Sequence, residues 1–419
     1  MMVLDMQNEL SLKVYIETYG CPSNRAESEM MAGILDRAGF HIVTDPESAD
    51  VVVLNTCIVK KPTELGILYR LKSFACSGRK IVVAGCMPEI RMREILQVVP
   101  DACIISTHNL RRITESVISV AMGERKYFVG SGDAMENANI GLPRIRYNNL
   151  IAVIEISKGC LGRCTYCSVR QVKGNLYSYH LTDIIGEIKN ALSEGCKEIW
   201  LTSQDCGCYG RDRGETLIDL LREIERIPGN FRVRIGMMNP DQVIRVLDNL
   251  VECYRDERVY KFLHIPLQSG SDSILAAMGR KYDTDDFRQI IKTFRKEIQE
   301  INIWTDIIVG FPGESDEDFA ASLRLLQEAR PDLVNINKFS PMKDTPAANM
   351  RQLNPKIISE RTRKMSEECR RITLENNMAQ IGKIRRILVT EVGINGTLKG
   401  RDECFRQIIL RREDARLGE

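Results

Sequence analysis

Strand and helix signals alternate along most of this chain, and that alternation constrains its fold more than any other feature. Short β-branched runs at Val14–Cys21, Ala49–Cys57 and Lys80–Cys86 are separated by amphipathic stretches at Asn24–Ala38 and Pro62–Ala75, and helical stretches follow near Arg91–Val98 and Leu110–Met122. Strands with a helix between them pair in parallel, because a tight hairpin cannot connect them. Residues 11–130 therefore predict a doubly wound parallel-sheet domain, with Asn24 expected to cap its first helix and Gly39 to stop it. Gly130–Tyr147, rich in Gly, Asn and Ser and interrupted by Pro143, reads as a linker.

The rhythm then resumes six times. Strands are expected at Leu150–Ile156, Glu198–Thr202, Phe231–Gly236, Tyr260–Ile265, Asn302–Val309 and Leu333–Asn337, with helices between them. Six βα units within residues 147–375 predict a barrel or partial (βα)6 barrel, with an open sheet as the alternative. Either way, reactive groups should gather at the carboxyl ends of the strands. Pro355–Gln380 reads as one long polar helix. Beyond it, alternating apolar residues flank Asn395-Gly396, a hairpin turn pair, which predicts a small β module over residues 382–419.

A chain of 419 residues needs more than one core. Its longest apolar runs, Val51–Leu54 and Ile81–Ala84, are too short to span a bilayer, and no secretory pattern opens the chain. A cytoplasmic protein with no membrane partner is expected. The 14 cysteines then point to metal or redox use rather than to disulfides. Net charge is only +2, but from Lys356 onward 15 basic residues face 10 acidic ones. That local excess favours a polyanionic partner, although a solvated helix face accounts for part of it.

Residues 158–168 read K-G-C-L-G-R-C-T-Y-C-S, with Cys160, Cys164 and Cys167 at C-x₃-C-x₂-C spacing. A structural zinc site is closed by four ligands, usually in two pairs, and no second C-x₂-C pair is present; Cys206 and Cys208 are separated by one residue. Three thiolates on a 4Fe-4S cluster leave one iron open to a small molecule. Zinc and buried structural cysteine remain the plainer alternatives. Cys21, Cys57 and Cys86 each close an expected strand of the first domain, so the three could converge along one sheet edge. Cys76 and Cys103 lack that context and read as structural.

The C-x₃-C-x-Tyr-C stretch resembles the cluster loop of the radical S-adenosylmethionine (SAM) superfamily. That resemblance implies a 4Fe-4S cluster on Cys160, Cys164 and Cys167, SAM on its open iron, and cleavage of SAM to methionine and a 5′-deoxyadenosyl radical. It also implies that Tyr166 lies against the SAM adenine. T-Y-G-C-P-x-N, N-T-C and A-G-C-M-P are similar to the amino-terminal domain of radical SAM methylthiotransferases. There, residues matching Cys21, Cys57 and Cys86 hold a second 4Fe-4S cluster whose open iron carries the sulfur to be delivered. The terminal β module resembles an incomplete TRAM domain, an RNA-binding barrel. It supplies about three strands where a full barrel needs about five, which leaves open edges and predicts weaker, salt-sensitive tRNA binding.

Lys173–Tyr179 (K-G-N-L-Y-S-Y), Glu198–Asp212 and Phe262–Asp272 look like the archaeal and eukaryotic threonylcarbamoyladenosine branch, whereas bacterial branches carry R-G-x-x-x-S-R after the cluster loop. The resemblance thus implies methylthiolation of carbon 2 of N6-threonylcarbamoyladenosine at position 37 in the anticodon stem-loop of tRNA. One SAM would supply the methyl group and another the radical. An electron donor and a sulfur donor are implied partners. Methylthiolation of isopentenyladenosine tRNA or of a ribosomal-protein aspartate is the enzymatic alternative, and a zinc-stabilised RNA-binding adaptor the non-enzymatic one. By the same resemblance Ser203 and Gln204 stand where the SAM amino group is held. Arg234, His264 and Gln268 end later strands where they could face SAM or substrate, and Asp306 could be a polar site residue on its strand. Gly310 and Gly313 read as backbone-conformation residues. Lys399, Arg401 and Arg406 are the expected RNA phosphate contacts.

Overall fold

The computed structural model describes residues 12–58, 61–130 and 139–419. The chain forms two compact units. One comprises Met1–Tyr147, Val153–Gly159 and Val169–Glu187; the other comprises Asn148–Ala152, Cys160–Ser168 and Ile188–Glu419.

In the first unit six parallel strands form one sheet: β1 (Lys13–Thr18), β2 (His41–Val43), β3 (Val51–Thr56), β4 (Lys80–Gly85), β5 (Cys103–Ile105) and β6 (Tyr127–Phe128), in the order β2-β1-β3-β4-β5-β6. Every residue of β3 is buried, as its unbroken apolar run requires when both faces are covered. The order reverses between β1 and β3, and such a switch point opens a crevice at the carboxyl ends of the two strands. The sequence reading missed β2, β5 and β6, each two or three residues long and too short to show a period. Asn24 does not cap the first helix. Cys21 is the N-cap, with Pro22 at the first turn of Pro22–Arg37, where its missing N–H costs nothing.

Residues 131–138 of the expected linker lie outside the described residues. The remainder is fastened down. Ile145 N–H donates to the Glu29 carbonyl at 2.9 Å, and Arg144 pairs with Glu187. A Cβ on Gly33 would sit 2.4 Å from the Pro143 carbonyl carbon, so this stretch rides directly on the first helix.

The second unit carries six strands, β7 (Ile151–Glu155, which starts here), β10 (Glu198–Thr202), β11 (Arg232–Arg234), β12 (Phe262–His264), β13 (Asn302–Val309) and β14 (Leu333–Lys338). The short strands β8 (Ser157–Lys158) and β9 (Tyr177–Ser178) form a separate ribbon in the first unit. One sheet has the order β11-β10-β7 and another β12-β13-β14, and a parallel bridge between Val233 and Val259 links the two. The strands thus follow chain order, as a (βα)6 array requires. Among the described residues no pairing returns β14 to β7, so the array is not closed.

The terminal module is a three-stranded antiparallel sheet, β15 (Ile387–Val392), β16 (Leu398–Asp402) and β17 (Gln407–Leu410). Asn395 and Gly396 turn with φ of 55° and 76°, the paired left-handed conformation that the Asn-Gly signal predicts. This sheet is not separate from the barrel. Phe405, at φ 61°, packs with Tyr260, Phe262, Trp200 and Trp304, and Asn302 Nδ2 donates to the Cys404 carbonyl at 2.8 Å. Phe405→Ala is expected to cost about 3–5 kcal/mol, seen as a lower midpoint in denaturant titration. An unchanged midpoint would mean that the module is tethered rather than packed.

Candidate metal centres

Cys21, Cys57 and Cys86 follow β1, β3 and β4, around the switch point of the first sheet. Asn24 gathers two of them: its Oδ1 accepts from Cys21 Sγ at 3.4 Å and lies 4.0 Å from Cys86 Sγ. The third approaches Gly20, where a Cβ would stand 3.0 Å from Cys57 Sγ and 3.2 Å from Asn24 Cγ. Gly20 and Gly85 have φ of 115° and 94°, so the glycine before Cys21 and that before Cys86 meet both a conformational and a spatial demand. Cys21 and Cys86 are the N-caps of helices Pro22–Arg37 and Met87–Val98. Burial pushes the Cys86 thiol up, while the Lys173 ammonium acts in the opposite sense. A bound metal would hold Cys86 as the thiolate, the form that burial alone disfavours.

Lys173 and Tyr179, from the segment that resembles the threonylcarbamoyladenosine branch, are buried in this first unit. Lys173 Nζ donates to Glu27 Oε1 and Thr107 Oγ1, each at 2.6 Å, and the Tyr179 hydroxyl donates to Glu155 Oε2 at 3.2 Å. Their part here is an internal polar network rather than a surface contact. Lys173→Met, which strands Glu27 in the interior, is expected to destabilise the fold by about 3–5 kcal/mol. A calorimetric melt checks this, and a change within error of zero would contradict it.

In the second unit the loop carrying Cys160, Cys164 and Cys167 is held at its middle. Thr165 N–H donates to the Met278 carbonyl at 3.0 Å, and Ala347 N–H to the Thr165 carbonyl at 2.9 Å. Cys160 and Cys164 converge on Gly162: a Cβ there would lie 3.3 Å from one sulfur and 3.6 Å from the other. Gly162 N–H donates to Cys160 Sγ at 3.2 Å, yet burial still pushes that thiol up to about 11. Beside Cys164 a cleft is lined by Arg163, Asp205, Asn239, Gln242 and Arg280. Arg280 Nη1 donates to Cys164 Sγ at 3.4 Å and to Asn239 Oδ1 at 3.0 Å. Asn239 is locked in turn, donating through its Nδ2 to Asp205 Oδ2 at 2.7 Å and through its backbone N–H to Asp205 Oδ1 at 3.1 Å. Burial raises the Asp205 carboxyl to about 6 despite these donors.

The sequence reading missed Asp205, Asn239 and Arg280. A lone Arg after a glycine turn, as in Met278-Gly279-Arg280, has no spacing that marks it. Only the loop brought back to Cys164 does.

The residues expected to touch SAM divide. Tyr166 packs against Ile274, Met278, Ile308, Phe311 and Ala347, its ring edge-on to Phe311 at 6.4 Å. Ser203 Oγ accepts from Asp205 N–H at 3.1 Å, and Gln204 has a buried side-chain oxygen with no hydrogen-bond partner among the described residues. Arg234 likewise has a buried Nε without one, and its guanidinium lies 5.2 Å from the Phe262 ring. His264 and Asp306 are paired, Nε2 to Oδ2 at 2.7 Å. Gln268 holds φ at 67° and bonds through its backbone to β13, with N–H to the Asp306 carbonyl at 2.7 Å. Gly310 has φ 81° and faces Ile358 Cγ1 at 2.5 Å from a built Cβ, a backbone role as expected; Gly313, at φ 91°, has open space.

Two of the expected RNA contacts are placed otherwise. Arg401 is 8% exposed and turned inward, to Thr390 Oγ1 at 3.0 Å and Glu391 Oε2 at 2.7 Å, with Glu198 Oε1 at 3.6 Å. Arg406 is spent on the Glu300 carbonyl at 3.1 Å and on Asp402 at 3.5 Å. Nearby buried acids drew both guanidinium groups in. Lys399 stays half-exposed.

The residues present, two sets of three free thiols, fit sulfur-bridged iron. None of the 14 cysteines is in a disulfide. A cluster spreads its bonds over several irons. Arg280 adds a guanidinium donor to Cys164 Sγ in the second unit. Among the described residues no helix is long and apolar enough to cross a membrane.

Comparison with known proteins accords with this geometry. A family described as "Uncharacterized protein family UPF0004" matches residues 13–106, and the radical SAM superfamily matches residues 154–326. A probable threonylcarbamoyladenosine tRNA methylthiotransferase of Pyrococcus horikoshii is 42% identical over 97% of this chain and 95% of its own length. The Homo sapiens threonylcarbamoyladenosine tRNA methylthiotransferase is 35% identical over 97% of this chain and 71% of its own. Among solved structures, the radical SAM methyltransferase TsrM of Kitasatospora setae superposes with a TM-score of 0.60 at 13% identity, over 81% of this chain and 77% of that one, a likeness of fold alone. With Cys21, Cys57 and Cys86 at the carboxyl ends of parallel strands, Cys160, Cys164 and Cys167 in the loop after β8, and relatives this similar along nearly its whole length, the chain belongs to the radical SAM threonylcarbamoyladenosine tRNA methylthiotransferase family.

Proposed function

We propose that this enzyme methylthiolates carbon 2 of N6-threonylcarbamoyladenosine in the anticodon loop of tRNA. The observation that carries the reading is the pair of cysteine trios, one around the switch point of the first sheet and one in the loop after β8, in a chain 42% identical to a relative of that name. When bound, two 4Fe-4S clusters and SAM supply what no side chain can, a radical able to attack an unactivated C–H bond and a sulfur to deliver.

The chain's own residues hold and shield. Cys160, Cys164 and Cys167 would ligate one cluster and Cys21, Cys57 and Cys86 the other. Tyr166 and its apolar surroundings exclude water from the loop. Ser203, Gln204 and Arg234 offer polar atoms toward SAM; the buried Gln204 oxygen and Arg234 Nε still lack partners. The paired His264 and Asp306 fix one wall. Barrel-mouth capture of a splayed base suits an anticodon loop. Lys399 is the remaining module contact for phosphate. The electron donor and the sulfur donor are separate partners.

The test is substrate discrimination. Anaerobically reconstituted protein is given tRNA carrying threonylcarbamoyladenosine or isopentenyladenosine, and the nucleosides are separated by mass. The expected product is the 2-methylthio derivative of the first only. Modification of the second alone would move the chain to the alternative branch.

A further inference from the structure

We propose that Arg280 sets the reduction potential of the cluster that Cys160, Cys164 and Cys167 would hold, acting as a fixed cationic donor to the Cys164 sulfur. This rests on the reading above that the three thiols hold iron.

The arrangement is more than a chance contact. Arg280 Nη1 reaches Cys164 Sγ at 3.4 Å while also bonding Asn239 Oδ1 at 3.0 Å, so the guanidinium is held at one position. Asn239 has no freedom to release it, because Asp205 grips both its side-chain amide and its backbone N–H. The face of the guanidinium is covered as well: its central carbon lies 5.4 Å from the Tyr282 ring centroid and 6.0 Å from that of Tyr166. Tyr282 is itself pinned, its hydroxyl donating to the Pro266 and Leu267 carbonyls at 2.9 and 2.8 Å. The Nε–H is buried and has no hydrogen-bond partner among the described residues. A buried donor left unmatched costs stability unless an acceptor arrives.

The physical consequence is a potential. Adding an electron to a thiolate-ligated cluster makes it more negative. A nearby fixed cation and hydrogen bonds to its sulfurs stabilise that reduced form. Arginine suits the task because its charge is permanent and its fork is rigid. Low effective dielectric around a buried site strengthens the effect.

The experiment is a potentiometric titration of the full chain followed by electron paramagnetic resonance, poised with dithionite and mediator dyes. A background with Cys21, Cys57 and Cys86 replaced by alanine leaves one cluster to report. In Arg280→Gln the reduced-to-oxidised ratio at a fixed poise should fall about tenfold, equivalent to about 59 mV for a one-electron couple. Arg280→Lys, which keeps charge but loses the fork, should fall less. Asn239→Ala, which frees the guanidinium without deleting it, should shift the potential in the same direction. If Arg280→Gln binds little iron, the other two variants carry the comparison. Unchanged potentials in the iron-loaded variants overturn the proposal. Absence of iron in the parent chain would instead overturn the cluster reading itself.

Discussion

Replacing Cys160, Cys164 and Cys167 together by alanine removes about half of the iron, from about eight atoms per chain to about four, and abolishes both SAM cleavage and methylthiolation. The loss is complete rather than partial because nothing else in the second unit can take over. Cys206 is fully buried and close to Ser203, 3.5 Å from its hydroxyl, and Cys208 Sγ donates to the Asp205 carbonyl at 3.0 Å. Neither sulfur is available to replace a lost ligand. Iron and acid-labile sulfide analysis measures the first half of the expectation, and 5′-deoxyadenosine release the second. Retention of full iron would show that these three thiols are not the ligands.

The companion variant, with Cys21, Cys57 and Cys86 replaced by alanine, separates the two centres. It should also keep about four irons. SAM cleavage should persist while the methylthio product disappears. Removing these thiols takes a buried Cys86 and its crowded neighbour Cys57 from the carboxyl edge of the first sheet. Volume changes there are small, and the sheet's own core, Val51–Leu54 and Val82–Ala84, is untouched. A folded protein with one working centre is therefore expected. Persistence of the methylthio product would place sulfur delivery elsewhere.

Much of this was legible in the sequence where chemistry and backbone demand the same residue. Gly20-Cys21 and Gly85-Cys86 show why: a positive-φ glycine stands at or just after the strand end, directly before the thiol, so the strand end and the thiol announce each other. The six βα units also read correctly, because strands such as Asn302–Val309 are long enough to carry their pattern. Asn395-Gly396 signalled its hairpin through φ alone.

Other features were hidden for physical reasons. Two-residue strands such as Tyr127–Phe128 exist only because a neighbouring strand offers hydrogen bonds. Arg401 and Arg406 looked like phosphate ligands, since sequence shows a charge but not the buried acid that neutralises it. Segment Val169–Glu187 follows a loop of the second unit yet packs into the first, a partition set by Lys173 finding Glu27 far upstream. Arg280 depends on a contact 116 residues away in sequence, which no local pattern reports.

The most direct test of the central claim is mass spectrometry of tRNA nucleosides from cells with and without this gene. The account predicts that 2-methylthio-N6-threonylcarbamoyladenosine disappears on deletion, that unmodified N6-threonylcarbamoyladenosine accumulates in its place, and that the intact chain restores the original pattern while either cysteine-trio variant does not. An unchanged level of the methylthio nucleoside in the deletion strain would contradict it.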